Sequence, residues 1–166
     1  DSDEFDLKTL TTTGNLTVTA GDDITDGGTV TVGGDLAVTT DDNNGAINLD
    51  TLAVNGTIAL TTDTSGAATV VNDAGIDFAL STVRGALSAT AVGAVTQTGG
   101  ALAITGVTTI IAGSGNNITL SNTSNNFVGA VQITSGNDVT LVDAGAIDLG
   151  VSTVSGIYAV TATTGG

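Results

Sequence analysis

A parallel β-solenoid is the fold class the sequence predicts, and three observations predict it. Apolar and polar residues alternate at the strand period of two, segments resemble each other at spacings of about 21 and about 71 residues, and the usual helix formers Glu, Lys, Gln and Arg are nearly absent. The apolar residues are Val, Ile, Leu and Ala, and the polar ones are mainly Thr, Asn, Asp and Gly, a mixture that suits strands joined by tight turns.

The strand candidates run through the whole chain. In order they are Leu16-Thr-Val18, Val30-Thr-Val32, Leu36-Ala-Val38, Ile47-Asn-Leu49, Leu52-Ala-Val54, Ile58-Ala-Leu60, Leu102-Ala-Ile104, Ile118-Thr-Leu120, Val131-Gln-Ile133, Val139-Thr-Leu141 and Ile147-Asp-Leu149. Each has one apolar face. No i, i+3, i+4, i+7 stripe is sustained anywhere, so no helix is expected.

The short spacing is carried by Ser114-Gly-Asn-Asn-Ile-Thr-Leu120, which returns as Ser135-Gly-Asn-Asp-Val-Thr-Leu141. The long one is carried by Ile76-Asp-Phe78 with Ser81-Thr-Val-Arg-Gly85, which returns as Ile147-Asp-Leu149 with Ser152-Thr-Val-Ser-Gly156. Leu16, Leu87 and Tyr158 thus share one slot, and Asp26-Gly-Gly-Thr-Val-Thr-Val32 answers to Thr98-Gly-Gly-Ala-Leu-Ala-Ile104. Strand-like pairs at about seven-residue intervals give three short strands per rung of roughly 21 residues, about three rungs per long repeat and about eight in all. At about 4.8 Å per rung this is a rod of roughly 35–40 Å.

Stacked Val, Leu and Ile explain how a core forms with only four aromatics, Phe5, Phe78, Phe127 and Tyr158. Corner Gly and Asn supply turn conformations, and Asn116 is expected to ladder with Asn137. The absence of Pro fits a chain whose backbone NH groups must pair between rungs. One solenoid over 1–166, without linker or second domain, is expected, as a slice or repeat unit of a longer fibre.

Composition also narrows function. With no His and no Cys, serine–histidine and cysteine–histidine catalysis is excluded, and the common zinc and haem ligands are missing; the expectation is a protein that is not an enzyme. One Lys and one Arg against 17 acidic residues give a formal charge of −15, which makes nucleic acid and anionic membranes poor partners. No apolar run of about 20 residues is present and no leader is recognised, so no membrane insertion is expected. Zero cysteine fits a reduced cytosol and a bacterial exterior equally.

The candidate for site chemistry is acidic. Asp22, Asp23, Asp26, Asp41, Asp42 and Asn43, with Asp35, Asn44 and Asp50 nearby, supply the oxygen ligands that calcium favours. Asp41-Asp-Asn-Asn-Gly45 lacks the alternate-residue spacing of an EF-hand, and the competing reading is turn-forming, solubilising Asp. Thr-x-Thr at Thr17/Thr19, Thr29/Thr31 and Thr161/Thr163 does not recur rung after rung, and reads as ordinary outward Thr on strands. Arg84 is placed at a turn and Lys8 in a surface ion pair with its acidic neighbours.

Gly14-Asn-Leu-Thr-Val-Thr-Ala-Gly-Asp-Asp-Ile24, Gly99-Gly-Ala-Leu-Ala-Ile-Thr105 and Ser114-Gly-Asn-Asn-Ile-Thr-Leu120 resemble the repeats of filamentous-haemagglutinin-like exoproteins and giant bacterial surface adhesins. The resemblance covers most of residues 10–166 and implies a right-handed parallel β-helix, an extracellular or cell-surface location, and an adhesive or structural fibre. The partners expected are copies of the same repeat end to end and cell-surface glycan. The alternative function is a module that binds glycan or Ca2+ on the solenoid face.

Overall fold

The computed structural model describes residues 4–163, and it is all β. Its strands are β1 (Phe5–Asp6), β2 (Leu10–Thr12), β3 (Leu16–Ala20), β4 (Ile24–Thr25), β5 (Val30–Val32), β6 (Leu36–Thr40), β7 (Ile47–Val54), β8 (Thr57–Thr61), β9 (Ala68–Asn72), β10 (Ile76–Val83), β11 (Leu87–Ala91), β12 (Val95–Ile104), β13 (Thr108–Ile111), β14 (Ile118–Leu120), β15 (Asn126–Phe127), β16 (Val131–Ser135), β17 (Val139–Asp143) and β18 (Tyr158–Ala162). They form two parallel sheets: one contains β1, β2, β4, β5, β7, β9, β11, β13 and β16, the other β3, β6, β8, β10, β12, β14, β15, β17 and β18. We call them the first and second sheets.

Register partners lie about one coil apart, as in Phe5 beside Ile24, Leu16 beside Leu36, Leu87 beside Thr108 and Val139 beside Tyr158. Successive rungs therefore stack identical slots. Leu16, Leu36, Ile58 and Phe78 make one inward column, and Leu49, Val70, Ala89, Ile110 and Ile133 make another. Both sheets feed one continuous core, in which Phe78 and Phe127 are fully buried. Parallel strands buried on one face need only alternate apolar residues, which is the pattern the sequence carries.

The three short strands per rung share two sheets because two of them run on across an irregularity. In β7 the register shifts between Leu49 and Leu52, and in β10 it shifts around Ala79. Which sheet holds the two strands changes along the rod. Through β7 the doubled side is the first sheet, with β1 and β2, then β4 and β5; from β10 it is the second sheet, with both halves of β10 and β12, then β14 and β15.

This exchange explains the long repeat. Leu16 and Tyr158 belong to the second sheet, whereas Leu87, in the same slot of the repeat, belongs to the first. Likewise Asp26-to-Val32 lies on the first sheet and its counterpart Thr98-to-Ile104 on the second. A 71-residue shift thus spans about three and a half rungs rather than the three expected, and carries each element to the opposite side of the rod. Two such shifts, from Leu16 to Tyr158, restore the original side.

Glycine makes one corner possible. Gly45, Gly66, Gly85, Gly106 and Gly129 stack so closely that a Cβ on Gly85 would lie 2.7 Å from the Gly66 carbonyl oxygen, and one on Gly106 2.7 Å from that of Gly85. No side chain fits between these backbones.

Candidate functional site

The structure spreads the acidic candidates over successive corners of the rod. Asp23 Oδ1 accepts the Ala46 NH at 2.7 Å. Asp26, 9% exposed, accepts the Asp50 NH on Oδ1 at 2.9 Å, and on Oδ2 the Thr51 NH at 2.9 Å and hydroxyl at 3.0 Å. Asp42 Oδ1 accepts the NH of Asn43, which has φ 53°, so Asp41-to-Gly45 is a turn closed by its own side chain. Asp22, Asp41 and Asn43 lie on these same corners without joining the others, and among the described residues no three Asp or Glu side chains converge on a common point.

What the carboxylates do instead is clasp rung to rung. Asp35 accepts the Thr57 NH at 2.8 Å and the Thr57 hydroxyl at 3.0 Å, Asp77 accepts the Thr98 NH at 2.8 Å and its hydroxyl at 2.5 Å, and Asp138 accepts the Ile157 NH at 2.9 Å. Asp6 holds the Gly27 NH at 2.7 Å. Asp6 and Asp77 are 71 residues apart, as are Gly27 and Thr98, so this clasp recurs in the repeat. At a corner the chain leaves the sheet ladder and its NH groups lose strand partners; a carboxylate from the preceding rung satisfies them.

The electrostatics follow. The Lys8 ammonium and backbone NH, with the Gly27 NH, hold the Asp6 carboxyl at about 2, and Asp6 in turn raises the Lys8 amine. The Thr57 NH, and then its hydroxyl, hold Asp35 below the usual carboxylate range. Lys8 forms its ion pair with Asp6 as expected, and Arg84 sits at an exposed bend, its NH donating to the Thr62 hydroxyl at 2.9 Å.

Buried polar side chains form a second set that alternation does not reveal. Asn72 Oδ1 accepts the Val54 NH at 2.8 Å while its Nδ2 donates to the Val54 and Gly75 carbonyls at 3.1 and 2.7 Å. Asn125 takes the Leu102 NH at 2.8 Å and exchanges hydrogen bonds with Gln97. Ser81 accepts the Leu60 NH at 3.0 Å. Asn72 and Ser81 stand where the doubled side changes sheet and Asn125 between β14 and β15, and their side chains take the place of missing strand backbone. The Asn ladder forms one residue away from its expected place: Asn137 Nδ2 donates to Asn117 Oδ1 at 3.0 Å, while Asn116 donates to the Ala112 carbonyl.

Outward threonines are also more regular than the isolated Thr-x-Thr pairs imply. Thr19, Thr39, Thr61 and Thr82 are in register on the second sheet, and Thr69, Ser88, Thr109 and Gln132 on the first. Counting residues two apart misses such ladders, because the neighbours are a coil apart. Between the corners lie open hollows, one of about 340 Å³ bordered by Leu52, Val71, Asn72 and Val92.

Comparison with curated proteins and with solved structures returns no match. A family described as repeats of unknown function matches residues 1–61, 65–134 and 136–166. The second and third matches begin 71 residues apart, the span of three and a half rungs found in the fold. The chain therefore belongs to this family, DUF5649, of repeats of unknown function.

Proposed function

We propose that the chain is a stiff structural segment: the shaft of a secreted bacterial adhesin or extracellular filament that holds an attachment surface away from the cell. The observation that carries this reading is the continuous parallel pairing of the first sheet from β1 to β16 and of the second from β3 to β18, over a single core and with carboxylate clasps at the corners. Such a rod resists bending and proteolysis because the backbone of each strand is tied to its neighbours on the adjoining rungs. The excess of acidic over basic residues, a formal charge of −15 on the chain, sets rods repelling one another in solution. The resemblance to filamentous-haemagglutinin-like repeats points the same way.

Electron cryomicroscopy of the native material tests it. Continuous rods with an axial repeat near 4.8 Å are expected. Compact isolated particles that bind glycan with defined stoichiometry would replace the shaft by a binding module.

A further inference from the structure

The change of the doubled side leaves a step on the first sheet. Through β7 that sheet has two strands per rung, and β9 supplies only one, so Leu52 is paired with Asn72 while Ala53 and Val54 have no strand partner on that rung. At the step lies the open hollow of about 340 Å³, with buried Leu52 as its floor and Val71 and Val92 as apolar walls, Val92 being 70% exposed. Its size is at the lower end for ligand clefts, and its open side suits one inserted side chain rather than an enclosed molecule. Asp50 and Asp73, both exposed, border it from adjoining rungs. They lie about two residues apart along the strand direction, so roughly 8 Å separates their backbones. Neither carboxylate accepts a hydrogen bond or meets a cation among the described residues, unlike those of Asp26 and Asp35. The step itself does not call for them, since 71 residues on Ala144 takes the place of Asp73 and Thr163 that of Val92.

We propose that this hollow is a docking site for a lysine side chain presented by a basic segment of a partner protein, its methylene stem lying on Leu52, Val71 and Val92 and its ammonium between Asp50 and Asp73. Charge selects the occupant. Two unpaired carboxylates beside an apolar wall match an apolar stem with a cationic tip, and this chain cannot supply one from within: Lys8 is paired with Asp6, and Arg84 follows β10 on the other sheet. A second copy brings a formal charge of −15 of its own and is repelled. Lysine fits better than arginine, because a compact ammonium with three donors can serve two carboxylates on separate rungs, whereas the flat guanidinium fork matches one carboxylate at a time. A single such contact is weak, and a partner with several lysines gains by engaging several units of an array.

The probe is the short peptide acetyl-Gly-Lys-Gly-amide, titrated into the isotope-labelled chain and followed by nuclear magnetic resonance at physiological ionic strength, where charges more than about 8 Å apart are screened. The amides of Thr51, Asp73 and Val92 and the methyls of Leu52 and Val71 should move together to saturation. The norleucine analogue keeps the stem without the charge and should leave them in place, and the arginine analogue should bind more weakly. Asp50→Asn and Asp73→Asn should weaken binding about threefold each and about tenfold together. Both side chains are exposed and without hydrogen-bond partners, so the variants should keep the parent's circular dichroism. Asp41→Asn removes the same charge from another corner and should leave binding unchanged. Shifts spread evenly over other acidic corners such as Asp35 and Asp138, equal weakening by Asp41→Asn, equal binding of the norleucine peptide, or no saturable shift at the hollow would each overturn the proposal. The outcome is independent of whether the chain is a shaft, which the hollow does not require.

Discussion

Asp143 is fully buried, and one of its two carboxylate oxygens has no hydrogen-bond partner. Its other oxygen accepts the Phe127 NH at 3.0 Å. Seventy-one residues earlier, Asn72 does the same for Val54 at 2.8 Å, but its Nδ2 then donates to two carbonyls, those of Val54 and Gly75. The two sites are the same site half a turn apart, one with an amide where the other has an acid. Asp143→Asn should therefore stabilise the fold, since it replaces an orphaned buried acceptor with the donor that Asn72 supplies at the equivalent site. Leaving a buried polar atom unpaired costs about 1–3 kcal/mol, and that is the expected gain. The reciprocal change, Asn72→Asp, removes two donated bonds and should destabilise by a similar amount. Urea unfolding followed by circular dichroism measures both, with amide exchange at Phe127 and Val54 as local readouts, because long repeat arrays do not always unfold in one step. A lower midpoint for Asp143→Asn, or a higher one for Asn72→Asp, would refute the equivalence of the two sites.

Four further outcomes are expected. Phe78→Ala, fully buried at the end of the column of Leu16, Leu36 and Ile58, should lower stability by about 3–5 kcal/mol in the same unfolding experiment. Gly106→Ala should prevent the native stacking of the glycine corner, seen as loss of the folded spectrum or a large fall in midpoint, whereas Gly14→Ala, with nothing within 4 Å of the added Cβ, should be tolerated. Asp6 and Asp35 titrate lower in the folded chain than in the unfolded one, so their clasps contribute fully above about pH 4 and are lost as pH falls through the folded pKa, about 2 for Asp6; Asp6→Asn and Asp35→Asn should lose stability at pH 7, and Asp6→Asn should converge on the parent chain only below about pH 2. Asp26→Ala should cost about 2 kcal/mol through its three lost hydrogen bonds, and millimolar calcium should leave the parent's thermal midpoint unchanged.

Strand positions, the rung length and the apolar columns were legible because alternation at period two and repetition at about 21 residues are written in neighbouring residues such as Leu36-Ala-Val38 and Ile58-Ala-Leu60. The side of the rod on which each repeat falls was not legible, since Leu16 and Leu87 look alike whether three or three and a half turns separate them. The roles of Asp23, Asp26 and Asp35 were hidden for a related reason. Their partners, Ala46, Thr51 and Thr57, lie on the next rung, and carboxylate clustering in sequence says nothing about which NH groups lack a strand. Asn72 and Asn125 interrupt alternation, and only the place where a strand column ends explains why an amide is buried there.

The half-integer pitch of the repeat makes parity a property of the array. Gain or loss of a single 71-residue unit reverses the azimuth of everything downstream of it, so a face that pointed left then points right. Gain or loss of a pair changes the reach of the rod and leaves every later face in phase. Duplication within such a gene thus has two distinguishable consequences, a change of length or a change of length with inversion. Lineages that depend on a fixed facing should vary in unit number by twos.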